Sequence, residues 1–265
     1  GVNWSSGNSS EAPYGWIEID NDYSEGSGYH TTGINAMQVT VAHEYFHAVQ
    51  RKYREPSVND KYFYEFSSTW IEELIFPDHN DYIYWIDPFN NAPATPFDET
   101  NGYSVASFGH YLNTFVENLN ADNLLSNQLM RLVWENFNNS DNPLDRLSQV
   151  LEDEEYSSNF MNCWSDFVAR NYLNGSESEF HYYSDQILMN PISAPYPISF
   201  FSNYDEEIIL YNDNLSLTSV RSSLSGILYL NHSSSLPLGK IVKIGQTDMI
   251  YNPEEIVEIP MEAYD

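Results

Sequence analysis

Apolar residues recur at helical spacing through most of the first 172 residues and give way to short alternating runs beyond about residue 190. From Ile34 to Tyr53 there is neither Gly nor Pro, and Ile34, Met37, Val41, Ala42, Tyr45, Phe46 and Val49 suit a largely buried helix. Glu55-Pro56 breaks it. A second helix is expected from an N-cap at Asn59 or Asp60 to about Phe76, where Pro77 stops it. Residues 77–101 hold four prolines and many Asn and Asp, which reads as a long surface loop with one helical turn around YIYWI (Tyr82–Ile86), and as one wall of a cleft. Further helices are expected at Tyr103–Asn118, Asp122–Phe137, Leu144–Asp153 and Ser158–Tyr172. At the front, the polar residues 1–13 lead into a short strand at Tyr14–Ile19 and a turn-forming stretch, Asp20–Gly28. At the back, EIILY, GILYL, KIVKI and EIVEI are strand-like runs separated by Asn, Ser, Pro and Gly. The expected fold class is therefore α+β, with a mainly helical domain over 1–190 and a small antiparallel β-rich unit over 191–265.

Composition narrows what such a chain can do. With 265 residues, 42% hydrophobic and 15% aromatic, it has ample material for a packed core. Its 39 acidic and 10 basic residues give a formal charge of −29, so phosphates would be repelled and nucleic acid or an anionic membrane surface is excluded as a partner. The same charge suits a solvated surface in a saline or extracellular medium. Cys163 has no second cysteine to pair with, and its setting, FMNCWSDF, reads as a buried helix position rather than a catalytic thiol. No apolar run approaches the roughly 20 residues of a membrane span. The chain begins at Gly1 without a Met or a signal segment, from which a processed, secreted bacterial product is expected. Oligomeric state has no signature in the pattern.

The chemistry concentrates in VAHEYFHAVQ. On a helix His43 and His47 lie at i and i+4, one above the other, so both imidazoles can reach a single Zn²⁺. Glu44 between them is then beside the metal's open position, placed to take a proton from a water whose pKa the metal depresses toward about 7. The competing reading makes both histidines ordinary core or surface residues and Glu44 a solvated charge. Catalytic zinc needs a third protein ligand. Glu65 lies 18 residues beyond His47 on the second helix, close enough for a helix–turn–helix to fold it back over the metal. Thr69 and Glu72 follow at i+4 and i+7 on the same face, placed to hydrogen-bond the ligand histidines. Glu73 is the alternative ligand, and a solvated helix face is the plainer reading of Glu72 and Glu73.

HExxH followed by a glutamate on the next helix resembles the gluzincin metallopeptidases, which include thermolysin-like and aminopeptidase-N-like enzymes. YFYEFSSTWIE is similar to the glutamate-helix motif of the second group, and TVAHEYFHAVQRKY with EFSSTWIEE resembles a group of bacterial secreted metalloproteases. The likeness is clear over about residues 14–120, weaker to about 175, and absent in the tail. It implies a zincin-like fold, zinc on His43, His47 and Glu65, and Glu44 as general base. It also implies an oxyanion donor, for which Tyr103 after Gly102 stands in the similar place. With 21 tyrosines in the chain, a purely packing Tyr103 is the alternative, and His110 is then the next donor candidate. The sequence departs from the thermolysin-like pattern in having Thr69 four residues after the ligand and Phe66 directly after it.

The resulting expectation is zinc-dependent, internal cleavage of a peptide or protein substrate. A strand such as GWIEI pairs with extended substrate in this superfamily. Two alternatives remain open: an aminopeptidase in which Glu18 binds the substrate amine, and a non-catalytic zincin-like module that binds a protein or polysaccharide through its acidic, Tyr-rich surface. A Ca²⁺ ion at Asp20, Asn21 and Asp22 lacks the twelve-residue EF-hand pattern, and a plain turn is expected there.

Overall fold

Two helices joined by a pinned turn frame the molecule. The computed structural model describes residues 14–192 except 27, 94, 120–123, 139–140, 154, 172–173 and 176–184, together with strand segments at 2–6 and beyond 197. Helix α1 spans Gly33–Tyr53 and α2 spans Lys61–Ile75, and the two pack against each other. Arg51 and Lys52 sit in the last turn of α1, where the helix dipole favours cations. The turn after it is held by Arg54, which ion-pairs with Asp60, donates to the Asp141 carbonyl at 2.8 Å and lies over the Phe137 ring. Tyr64 Oη closes the turn by donating to the Arg54 carbonyl at 2.7 Å.

Helix α2 is buried on nearly every side. Tyr62, Phe63, Tyr64, Phe66, Trp70 and Leu74 belong to the main core, with Phe97, Phe108, Trp164 and Phe167. Six polar residues, Glu65, Ser67, Ser68, Thr69, Glu72 and Glu73, are buried along with its aromatic ones.

Residues 77–101 depart from the expected loop. They contain a nine-residue helix, α3, at Ile83–Asn91, with Pro88 inside it. An interior proline costs about 3 kcal/mol. Tyr82, Ile86 and Phe89 lie at i, i+4 and i+7 and are buried to within 2% of full coverage. Each such burial contributes roughly 1.5–3 kcal/mol, so tertiary packing outweighs the proline.

The remaining helices follow the expected order with trimmed ends. Tyr103–Val116 is one helical stretch that passes from a 3₁₀ turn (Tyr103–Val105) through α4 (Ser107–Tyr111) to a π turn (Leu112–Val116). Helix α5 begins at Leu129, later than the expected Asp122, and ends at Glu135. Helix α6 (Pro143–Leu151) starts with Pro143 in its first turn and the Asn142 side chain accepting from the Leu144 amide at 2.8 Å. Helix α7 (Phe160–Asn171) carries Cys163, which is buried as expected, with Ser158 Oγ 3.2 Å from its sulfur.

At the N-terminal end strand β1 (Val2–Ser6) pairs antiparallel with β2 (Tyr14–Glu18), so one edge of β2 is already covered. The expected β-rich unit from residue 191 lies outside the described residues except for six short strand segments between Ile198 and Met261. Among the described residues no helix is long and apolar enough to cross a membrane.

Candidate metal and catalytic site

Helices α1 and α2 bring His43, His47 and Glu65 together. One ligand atom from each lies within 4.8 Å of the others. Glu65 Oε2 is 3.1 Å from His43 Nε2 and 3.4 Å from His47 Nε2, and the two imidazoles meet edge to face. The i, i+4 spacing stacks the histidines, and the turn after α1 sets the register that puts Glu65 opposite them.

The opposite nitrogen of each ring is held as well. His43 Nδ1 is 2.6 Å from Glu72 Oε1, and His47 Nδ1 is 2.7 Å from Gln50 Oε1 and 3.1 Å from Ser68 Oγ. Glu72 and Gln50 oxygens are acceptors, so a proton on each Nδ1 satisfies both contacts and turns both Nε2 lone pairs toward the Glu65 carboxylate. Three acceptors then converge on one point, an arrangement that a cation or a proton must relieve. The electrostatics agree. Burial alone would favour neutral His43, but hydrogen bonds to Glu65 and Glu72 raise its pKa to about 9. Burial acts against the charge on Glu65, yet the two histidines hold its carboxyl well below the usual range. Two imidazole nitrogens and one carboxylate oxygen form the three-ligand set that catalytic zinc takes in hydrolases, so the residues present fit the ion.

Gln50 and Ser68 were not among the sequence candidates. Gln50 is fully buried, and its amide donates to the Tyr64 carbonyl at 2.9 Å and to Ser67 and Ser68 hydroxyls at 3.0 Å, tying the ligand-bearing turn of α1 to α2. Its signal was present in the spacing, since it lies three residues after His47 on the same face.

Other candidates sort themselves by position. Glu72 reaches His43, whereas Thr69 reaches neither histidine: its hydroxyl is buried without a hydrogen-bond partner. Glu44 is buried one residue from His43, and its charge acts on both Glu72 and Tyr103. Tyr103 Oη lies 3.5 Å from His43 Nε2, within the electrostatic reach of the Glu65 carboxylate, with its ring stacked on His43 at 5.4 Å. Burial and the neighbouring Glu65 carboxylate push its hydroxyl pKa above the ordinary value, so it is a neutral O–H donor.

Gly102 makes that placement feasible. Its φ is +86°, and a Cβ there would stand 2.1 Å from the Tyr62 carbonyl oxygen and 2.7 Å from the Phe66 nitrogen. Only glycine lets the chain approach α2 closely enough to deliver Tyr103 beside Glu65.

His110 does not share the site. It is 1% exposed, packs on Tyr82 at 4.7 Å, has no hydrogen-bond partner on either nitrogen, and burial pushes its pKa down to about 3. Glu18 is exposed and accepts from Trp16 Nε1 at 3.2 Å. In the Asp20–Asp22 stretch, Asp20 Oδ1 accepts from the Asp22 amide at 2.9 Å and Oδ2 from Tyr29 Oη at 3.0 Å, the local bonding of a turn.

Glu73, the alternative ligand, is not part of the cluster of His43, His47 and Glu65. Burial first, and then the carboxylate of Asp185, push it up to about 9 from 4.5. Because the folded value lies above the unfolded one, the folded protein holds this proton more tightly, and the associated stability is intact below about pH 4.5 and lost as pH rises toward 9. Glu73→Gln should therefore flatten the fall in melting temperature between pH 5 and 8 and stabilise the protein at pH 8 by on the order of 2 kcal/mol. Parallel pH profiles for variant and wild type would show that Glu73 does not titrate in this window.

Comparison with protein-family models, with curated proteins and with solved structures returned no match to this chain.

Proposed function

We propose that the protein is a zinc-dependent peptidase of gluzincin type that cleaves peptide bonds internally. The observation that carries this reading is the convergence of His43, His47 and Glu65 with both histidine Nδ1 atoms locked from behind, next to a buried glutamate on the same helical turn. Zinc, when bound, supplies Lewis acidity that polarises a carbonyl and makes water acidic enough to lose a proton near neutral pH. The remaining work falls to the chain. Glu44 accepts the proton of the attacking water and passes it to the leaving amine. The Tyr103 hydroxyl, 3.5 Å from His43 Nε2, donates a hydrogen bond to the developing oxyanion. Glu72 and Gln50 keep the imidazoles oriented.

One experiment tests the reading and the donor together. The zinc-loaded protein is incubated with an unfolded protein substrate, alongside chelated protein and Tyr103→Phe. Internal fragments should appear only with metal, and Tyr103→Phe should lower kcat by roughly a hundredfold or more with little change in KM, because an oxyanion donor acts mainly in the transition state. Absence of any metal-dependent cleavage would refute the peptidase reading. A wild-type kcat in Tyr103→Phe would remove that residue from the chemistry.

A further inference from the structure

Aromatic rings lead outward from the metal cluster to the surface, and the peptidase chemistry above does not use them. Tyr103, stacked on His43, has Trp85 as its neighbour at 5.7 Å. Trp85 in turn meets His30 edge to face at 5.0 Å, and His30 lies flat on Tyr84 at 4.8 Å with ring planes 4° apart. The rings come from three separate stretches, the turn that opens at Tyr103, α3 and the segment before α1, yet they form one contiguous wall.

Packing does not require this wall to be where it is. Helix α3 is anchored through Ile86 and Phe89, which are 1% and 2% exposed, whereas Tyr84 and Trp85 are 53% and 38% exposed. Asp81 fixes the indole from the side, accepting from Trp85 Nε1 at 3.0 Å. A contiguous, preorganised apolar surface left open to water gains free energy when a ligand covers it. Its inner end is Tyr103, whose hydroxyl lies 3.5 Å from His43 Nε2. An occupant of the wall is thereby placed next to the reacting bond.

We propose that Trp85, with Tyr84 and His30, forms the subsite that takes a large apolar or aromatic side chain of the substrate beside the scissile bond, which makes Trp85 a specificity-determining residue. This rests on the peptidase reading for the identity of the occupant, a peptide side chain. Aromatic faces and edges match such a side chain through dispersion and offset stacking. The indole edge is tied down by Asp81, so what Trp85 and Tyr84 present to an occupant is ring surface, which an aromatic side chain covers.

The test measures binding rather than turnover. Zinc-loaded Glu44→Gln protein is titrated with short fluorescein-labelled Ala/Gly peptides carrying Phe, Ala or Arg at one central position. The Phe peptide should bind about tenfold more tightly than the Ala peptide, equivalent to roughly 1.4 kcal/mol. Adding Trp85→Ala should erase that preference while leaving the Ala peptide within about twofold, and Trp85→Phe should keep part of it. Equal affinities for Phe and Ala, including no measurable binding of either, would overturn the proposal. So would a Phe preference that survives Trp85→Ala, or tighter binding of the Arg peptide. Failure of the wild type to hydrolyse peptides would count against the enzymatic reading alone, because the binding preference is read in a protein that does not need to turn over.

Discussion

Glu44→Gln is expected to cut peptide hydrolysis by about a thousandfold or more while zinc stays bound at the wild-type level. The substitution keeps the shape of the side chain and removes only its ability to carry a proton. Glu44 is not part of the cluster formed by His43, His47 and Glu65, so those three donors keep their positions. Its charge, which acts on Glu72 and on Tyr103, disappears as well. That change relieves repulsion among buried carboxylates, so the variant should be no less stable than the parent, and a low rate could not be ascribed to unfolding. Zinc content and melting temperature are measured on the same preparation as the rate. A variant with wild-type kcat would show that some other group moves the proton. One that loses its zinc would show that Glu44 helps to bind the metal.

What the sequence made legible was the part governed by local periodicity. The HExxH spacing, the break at Glu55-Pro56 and the i+7 relation of Glu72 to Glu65 are enough to anticipate that His43, His47 and Glu65 meet and that Glu72 lies behind His43. Residues whose role depends on packing between elements were harder to read. Gln50 has the spacing to face His47, but its burial shows only once α2 closes over it and takes its amide, and Thr69 has the right spacing but no hydrogen-bond partner. Helix α3 was hidden by Pro88, because the burial of Tyr82, Ile86 and Phe89 that outweighs the proline comes from residues far along the chain. The aromatic wall was invisible for the same reason. His30, Tyr84, Trp85 and Tyr103 carry no common motif and meet only through the fold.

Removing the metal should lower the melting temperature by about 10 °C, and restoring zinc should recover it. A ligand that binds only the folded state contributes RT ln(1 + [L]/Kd), about 4 kcal/mol at a thousandfold excess over Kd, and each kcal/mol moves the transition of a domain this size by roughly 2–4 °C. The two helices that form the core frame also carry the ligands, α1 with His43 and His47 and α2 with Glu65, so the coordination energy acts across the contact that holds them together. Without an ion the convergent acceptors lean on a proton at His43, held by Glu65 and Glu72, which is a weaker tie than coordination to three atoms. Glu65→Gln replaces a carboxylate oxygen with a neutral amide and should reduce the zinc-dependent shift by more than half, and His43→Ala should abolish it. If chelated and zinc-loaded proteins melt together, the cluster does not bind zinc in the folded state. If Glu65→Gln keeps the full shift, the third donor is another carboxylate on α2, and Glu72, already 2.6 Å from His43, is the first to test.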